Sequence, residues 1–101
     1  MKVMILYRPP ADPDAFMRHY EEVHLPLARK IPGVQRLEIN RIAQANGAPY
    51  FLVTEVYYSD KQSMKAAMAS PENKAAGADL ANFADGGVEF MVAEVTQEVF
   101  A

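Results

Sequence analysis

The chain has 101 residues, of which 50% are hydrophobic and 23% charged, and this composition predicts one globular domain over residues 1–101 and excludes a disordered chain. Its formal net charge is -3 and its basic residues are scattered, which excludes nucleic acid as an expected partner. Because the chain has no cysteine, we expect no disulfides and no thiolate chemistry. Because it has no apolar run long enough for a signal peptide or a membrane span, we expect no membrane partner and a location in the cytoplasm.

The chain opens with a predicted strand and a predicted helix. Residues Lys2 to Arg8 are rich in strand-forming side chains, and Pro9-Pro10 ends them. Asp12 can cap a helix whose first position is Pro13, and the helix is expected to run to about Lys30. Its apolar side chains recur at steps of three and four residues and form one stripe. The stripe comprises Phe16, Tyr20, Val23, Leu27 and Ile31.

Two strands follow this helix. Pro32-Gly33 stops the helix, and the next strand is predicted over Val34 to Ala43. Asn46-Gly47 is typical of a turn, and Tyr50 to Tyr58 shows the strongest strand pattern in the chain.

The last part of the chain is predicted as two short helices and a long strand. Ser59 with Gln62 has the spacing of a capping box for a helix over about Asp60 to Ala69. A second helical piece over about Pro71 to Ala84 follows, and Gly86-Gly87 ends it. Its expected buried side chains are Ala75, Leu80 and Phe83. Val88 to Phe100 is predicted as the final strand.

This order of elements predicts an α+β fold, a ferredoxin-like βαββαβ unit with an antiparallel four-stranded sheet. Both helical regions then cover one face of the sheet. Apolar residues nevertheless alternate onto both faces of the first, third and last strands. Because a soluble monomer rarely leaves such a surface open, we expect a homodimer that packs through the open face of the sheet.

The segment Phe16 to Leu27 (Phe-Met-Arg-His-Tyr-Glu-Glu-Val-His-Leu-Pro-Leu) leads into Ile31-Pro-Gly-Val34. It resembles the signature of the EthD-like proteins of the dimeric α/β-barrel superfamily, with an aromatic residue eight positions before a histidine, then His-x-Pro-Leu, and an asparagine, here Asn40, near the end of the second strand. The resemblance implies a dimeric α/β barrel with a pocket between sheet and helices. It also implies kinship with cofactor-free oxygenases, polyketide cyclases and lactone isomerases. The chain departs from the family pattern at His19-Tyr20, where a Tyr-Trp pair is common.

His24 is the candidate catalytic residue. On a helical wheel it lies at the edge of the apolar stripe, about 40° from Tyr20, which places its imidazole against the sheet. Pro26 lacks the N–H that would bond the Glu22 carbonyl, so we expect a local distortion of the helix beside His24. A partly buried imidazole is an acid–base group near neutral pH, and the alternative is a structural histidine that bonds a strand carbonyl.

Other polar residues give weaker indications. On a regular helix His19 lies about 140° from His24, so the two cannot share a metal ion and no metal site is expected. His19 is assigned to the surface or the edge of the apolar stripe. The candidate substrate-binding residues are the polar side chains that a pocket could use. They are Tyr7, Tyr20, Asn40 and Tyr57.

Together with the resemblance, these residues predict a cofactor-independent enzyme of the oxygenase, isomerase or cyclase type, in which His24 moves a proton of a small hydrophobic, enolisable or phenolic substrate. No phosphate-binding loop, serine elbow or nucleotide fingerprint is present, so no cofactor is expected. The alternative is a non-catalytic small-ligand-binding dimer that assists a pathway enzyme. A haem-handling protein, which some barrel relatives suggest, is disfavoured because the chain has no tryptophan.

Overall fold

The computed structural model describes residues 1–44 and 47–100, which form a four-stranded antiparallel sheet with helices against one face. The strands are β1 (Lys2–Tyr7), β2 (Arg36–Arg41), β3 (Leu52–Tyr57) and β4 (Val88–Ala93). Their order in the sheet is β2-β3-β1-β4, and each neighbouring pair is antiparallel. The predicted α+β, ferredoxin-like βαββαβ fold is confirmed. The turn predicted at Asn46-Gly47 includes Asn46, which lies outside the described residues.

The first helical region is one rod with a wide turn in its middle. It consists of α1 (Pro13–His19), a π-helical turn (Tyr20–His24) and α2 (Leu25–Ala28). As predicted, Asp12 caps it, accepting the Ala15 N–H at 3.1 Å. In the π turn the Leu25 N–H donates to the Tyr20 carbonyl, a bond to the fifth residue back. The distortion that Pro26 predicts is therefore present directly before that proline.

The π turn changes which side chains face the core. The extra residue in the turn rotates the helix, so His24 rather than Val23 follows Tyr20 on the buried side. Val23 is 42% exposed, whereas His24 is 5% exposed. The prediction that Val23 belongs to the apolar stripe was wrong, because it assumed a regular helix throughout.

The second helical region is divided as predicted, into α3 (Lys61–Met68) and α4 (Pro71–Asp79), with a 3₁₀ turn at Leu80–Asn82. The predicted capping box at Ser59 and Gln62 was wrong: the cap is Asp60, which accepts the Ser63 N–H at 2.7 Å. The predicted burial of Ala75 was also wrong. Instead the buried stripe of α4 continues into the next turn and comprises Ala76, Asp79, Leu80 and Phe83.

Tyr7, Phe16, Tyr20, Phe51, Leu52 and Phe83 pack together as the main core cluster between sheet and helices. The opposite, outer face of the sheet is mixed rather than apolar throughout. Its apolar part is Met4, Leu6, Val53, Met91 and Ala93, by their alternation and register. Beside it lies an ion pair, with Lys2 Nζ 2.8 Å from Glu55 Oε1.

The last strand is shorter than predicted. It ends at Ala93, whereas the sequence pattern predicted a strand to Phe100. Ala93 pairs with Lys2, where β1 begins, so β1 offers no further backbone to a longer β4. Val95, Val99 and Phe100 are 40%, 85% and 89% exposed.

Candidate functional site

A cavity of about 150 Å³ lies between the helices and the inner face of the sheet. No lysine, arginine, aspartate or glutamate is among the described residues that line it. Its apolar wall includes Val3, Ile5, Leu25, Ile31, Leu37, Val56, Leu80 and Phe90, and its polar side chains are Tyr7, Tyr20, His24, Thr54, Tyr58 and Asn73. An apolar cavity of about this size holds one benzene-sized molecule. The cavity therefore fits a small uncharged ring.

His24 lies between this cavity and a buried carboxylate. Its Nδ1 is 3.0 Å from Asp79 Oδ2. Because an ionised carboxylate only accepts hydrogen bonds, Nδ1 carries the proton and Nε2 holds the lone pair. Within the described chain Nε2 has no bonding partner, and the one side-chain N or O atom that is both fully buried and unpartnered is the Tyr7 hydroxyl. The basic nitrogen of His24 is therefore open to the cavity.

Asp79, the last residue of α4, organises the polar end of the site. It is 6% exposed and accepts hydrogen bonds from His19, His24 and Asn82. Burial alone would raise the pKa of this carboxyl, but the bonds from Asn82 and the two histidines outweigh burial and lower it. Asp79 is thus held as an anion. Sequence reasoning missed it, although an aspartate on the apolar stripe of a helix is a signal that could have found it.

His19 reaches the same carboxylate. Its Nε2 lies 2.8 Å from Asp79 Oδ1 and 3.0 Å from Oδ2. Its side chain is 26% exposed, so the predicted position at the edge of the stripe is confirmed. The π turn brings position 24 back over position 19, and the premise that the two rings point about 140° apart was therefore wrong.

The electrostatics of the site keep His24 neutral. Burial lowers its pKa, and this effect exceeds the opposite effect of the hydrogen bond that His24 donates to Asp79, while charge on His19 lowers the pKa further. A neutral imidazole with a fixed tautomer and a free Nε2 has the form of a general base.

Two of the predicted substrate-binding residues, Tyr7 and Tyr20, line the cavity together with His24. The Tyr20 hydroxyl is 2.5 Å from Thr54 Oγ1, and its ring lies 5.5 Å from the His24 ring. The Tyr7 hydroxyl is buried without a partner. Burial raises the pKa of this hydroxyl, and Tyr20 and Asp79 raise it further, so the hydroxyl stays protonated near neutral pH.

The other two predicted substrate-binding residues lie on the outer face of the sheet. Asn40 donates to the Val53 carbonyl at 3.0 Å, and the Tyr57 hydroxyl donates to Glu38 at 3.1 Å. Thr54, three residues before Tyr57 on β3, lines the cavity. Because side chains alternate between the two faces of a strand, Tyr57 points to the opposite face, away from the cavity. The structure therefore does not bring Asn40 or Tyr57 together with His24.

Two kinds of feature are absent from the part of the chain that the structure describes. Within residues 1–44 and 47–100, no set of three or more histidine, aspartate or glutamate side chains is arranged to hold a metal ion. Within the same ranges, no helix has the length and apolar character needed to cross a membrane.

Comparison with known proteins identifies similar chains. Residues 8–87 match the family model described as the EthD domain. The chain is 40% identical over 92 residues to an uncharacterized 11.0 kDa protein in the thcB-thcC intergenic region of Rhodococcus erythropolis, with 89% of each chain covered.

Solved structures share the fold. A member of the ethyl tert-butyl ether D (EthD) family from Bacillus halodurans C-125 superposes with a TM-score of 0.85 and 38% identity, over 92% of this chain and 95% of that one. A dimeric ferredoxin-like protein of unknown function from Thermobifida fusca YX superposes with a TM-score of 0.69 and 13% identity, over 89% of this chain and 85% of that one. The second similarity concerns the fold alone.

Proposed function

The chain belongs to the EthD domain family, and on that premise we propose that it is a cofactor-independent enzyme in which His24 moves a proton of a small hydrophobic, enolisable or phenolic substrate. The observation that carries this proposal is the placement of His24, with Nδ1 bonded to a buried carboxylate and Nε2 open to an apolar cavity. Residues 1–101 act as one domain in this proposal.

His24 is the general base. Its Nε2 accepts a proton from a carbon or oxygen of the substrate, the electron pair stays on the substrate as an enolate or phenolate, and the ring becomes an imidazolium. Asp79 lies 3.0 Å from Nδ1 and stabilises this cation. Return of the proton from Nε2 to another substrate atom completes an isomerisation. Cyclisation and oxygenation begin with the same abstraction.

The cavity wall supplies the remaining functions. Tyr20 places its hydroxyl group on the cavity wall near His24, where it stabilises the developing negative charge on oxygen, and the ring of Tyr7 forms part of the same wall. The apolar wall excludes water and selects an uncharged ring, since no described lining residue carries a formal charge other than a protonated His24. Asn40 and Tyr57 have no part in this site, because they lie across the sheet from it.

The active species is a homodimer that packs through the outer face of the sheet as a dimeric α/β barrel. Met91 is 48% exposed there, although it adjoins Met4 in the apolar part of that face. The exposed Val99 and Phe100 add apolar surface that a second copy would cover. A fold neighbour described as a dimeric ferredoxin-like protein supports the same assembly.

Carbon-acid exchange tests the proposal without knowledge of the natural substrate. The α-protons of acetophenone and benzoylacetone are followed by NMR in deuterated buffer with catalytic amounts of protein. We expect exchange to be accelerated by the native protein, and His24→Gln to reduce the acceleration about 10²- to 10⁴-fold, which is the usual contribution of a general base. Glu22→Gln, an exposed site on the same π turn, is the matched control.

Equal acceleration by His24→Gln and the native protein would contradict the assignment of the base. Saturable binding of both ketones, with no exchange above background, would instead favour the alternative function, a non-catalytic ligand-binding dimer.

A further inference from the structure

His19 does not line the cavity, yet it donates to the same carboxylate that holds the His24 ring. We propose that His19 is a positioning residue of the site, which fixes Asp79 against His24 and competes with His24 for the negative charge of that carboxylate. The inference depends on the proposed function for its catalytic meaning. The arrangement itself is measurable in the free protein.

The positioning role follows from how Asp79 is bonded. Oδ2 receives His24 Nδ1 at 3.0 Å, and Oδ1 receives Asn82 Nδ2 at 3.0 Å. His19 Nε2 lies within bonding distance of both oxygens, at 2.8 and 3.0 Å, so it holds the plane of the carboxylate from a third direction. Loss of this donor leaves the carboxylate free to rotate away from His24.

Phe83 links the two rings. The His19 ring stacks on it at 4.9 Å with an interplanar angle of 23°, and the His24 ring contacts it at 4.8 Å. Both imidazoles are therefore held against one buried aromatic ring, and neither can leave Asp79 without disturbing that contact.

The charge competition follows from the unequal exposure of the rings. The His19 side chain is 26% exposed and is in contact with solvent, whereas the His24 side chain is 6% exposed. Once His19 is a cation, the charge of Asp79 is already matched, and a proton on His24 gains less from it. Burial lowers the pKa of His24, and a charged His19 lowers it further.

The other titratable groups that face this cluster are phenols. Tyr7 of β1 and Tyr20 of the π turn both have pKa values raised by burial, so both stay neutral near neutral pH. The charge on the carboxylate is therefore shared between the two histidines. His24 is a stronger base while His19 is neutral than while His19 is charged.

Imidazole NMR on the intact protein tests this inference. The chain has two histidines, so the ¹⁵N-labelled protein gives two ring systems to titrate. In His19→Gln, which keeps an N–H donor but cannot be charged, we expect the His24 midpoint to move to higher pH and its Nδ1–H signal to be retained. In His19→Leu, which removes the donor, we expect that signal to be lost through solvent exchange. Arg18→Gln removes an exposed neighbouring cation and is expected to match the native titration.

Identical His24 midpoints in the native protein and His19→Gln would overturn the charge competition. A retained Nδ1–H signal in His19→Leu would overturn the positioning role. If His19→Leu does not fold, His19→Ala takes its place. A His24 Nδ1–H signal that persists in His19→Ala at the native exchange rate would overturn the positioning role, and its loss would support it. These outcomes do not depend on catalysis. If the His24 titrations behave as expected but the protein does not accelerate carbon-acid exchange, the proposed function is contradicted and the role of His19 is not.

Discussion

His24 and Asp79 meet at 3.0 Å between Nδ1 and Oδ2, and each side chain is only 6% exposed. At this depth little water screens the contact, so the carboxylate fixes the tautomer of the ring. Burial also makes a charged His24 unfavourable in the folded chain. The protonation of this residue is therefore coupled to the stability of the fold.

The fold is expected to lose stability as the pH falls below the ordinary pKa of a histidine, about 6.5. The pKa of His24 is lowered from its ordinary 6.5 by burial, so below that pH the unfolded chain takes up a proton that the folded chain does not. The contribution of neutral, buried His24 to the free energy of unfolding is complete above pH 6.5 and is lost as the pH falls towards the lower pKa of His24 in the folded chain. Urea denaturation at several pH values should show a shallower decline in His24→Gln than in the native protein, and parallel declines would contradict the burial argument.

Tyr7 and Tyr20, which line the cavity with His24, are expected to respond differently to loss of their hydroxyls. Tyr20→Phe leaves the buried Thr54 hydroxyl without its partner at 2.5 Å and should cost about 1–3 kcal/mol. Tyr7→Phe removes a hydroxyl that has no partner and should leave the free energy of unfolding unchanged within about 1 kcal/mol or raise it. Urea denaturation of both variants measures the difference. An equal cost at Tyr7 would mean that its hydroxyl is bonded.

Gly86 and Gly77 form a matched pair for alanine substitution. A Cβ at Gly86 would lie 2.4 Å from the Pro9 carbonyl oxygen, a backbone atom, so Gly86→Ala should cost about 1–3 kcal/mol. A Cβ at Gly77, within α4, meets no atom within 4 Å, so Gly77→Ala should stabilise the fold by about 0.5–1 kcal/mol. Thermal unfolding should move in opposite directions, and a neutral Gly86→Ala would contradict the close approach of the two segments.

The proposed dimer depends on one face of β4. Met91 lies on the outer face, and Val92, the next residue, lies on the inner face beside Val3. Met91→Lys should therefore give a monomer in sedimentation velocity at micromolar concentration, because it places a charge in the interface. Val92→Lys, on a residue that is 52% exposed, should remain dimeric. A native protein that sediments as one chain would remove the dimer from the proposal.

Local chemistry made much of the fold predictable from the sequence. The alternation of β-formers located all four strands, and Asp12 before Pro13 located the first cap. The missing N–H of Pro26 predicted the distortion, and the wheel position of His24 predicted its burial. Each of these depends on residues close in sequence, where propensity and period carry the information.

The remainder depended on contacts distant in sequence. The length of β4 is limited by Lys2, at the other end of the chain, and no local pattern in 94–100 carries that limit. Asp79 lies on the apolar stripe of α4, but only its pairing with two histidines about 55 to 60 positions earlier makes its burial favourable. The π turn is what brings His19 and His24 to the same carboxylate, and Pro26 is the one residue in the sequence that indicates this turn.

The π turn also makes the site depend on the number of residues in one turn of helix, in a way that side-chain chemistry does not show. If the five steps from His19 to His24 wound as a regular α-helix, at about 100° each, the two rings would lie about 140° apart. The imidazole of His24 would then no longer reach the carboxylate on α4 that His19 contacts. Deleting one exposed residue such as Val23 would give the two histidines a four-residue spacing, which regular winding places on one face, so regular winding and the shared contact are compatible only in the shorter chain.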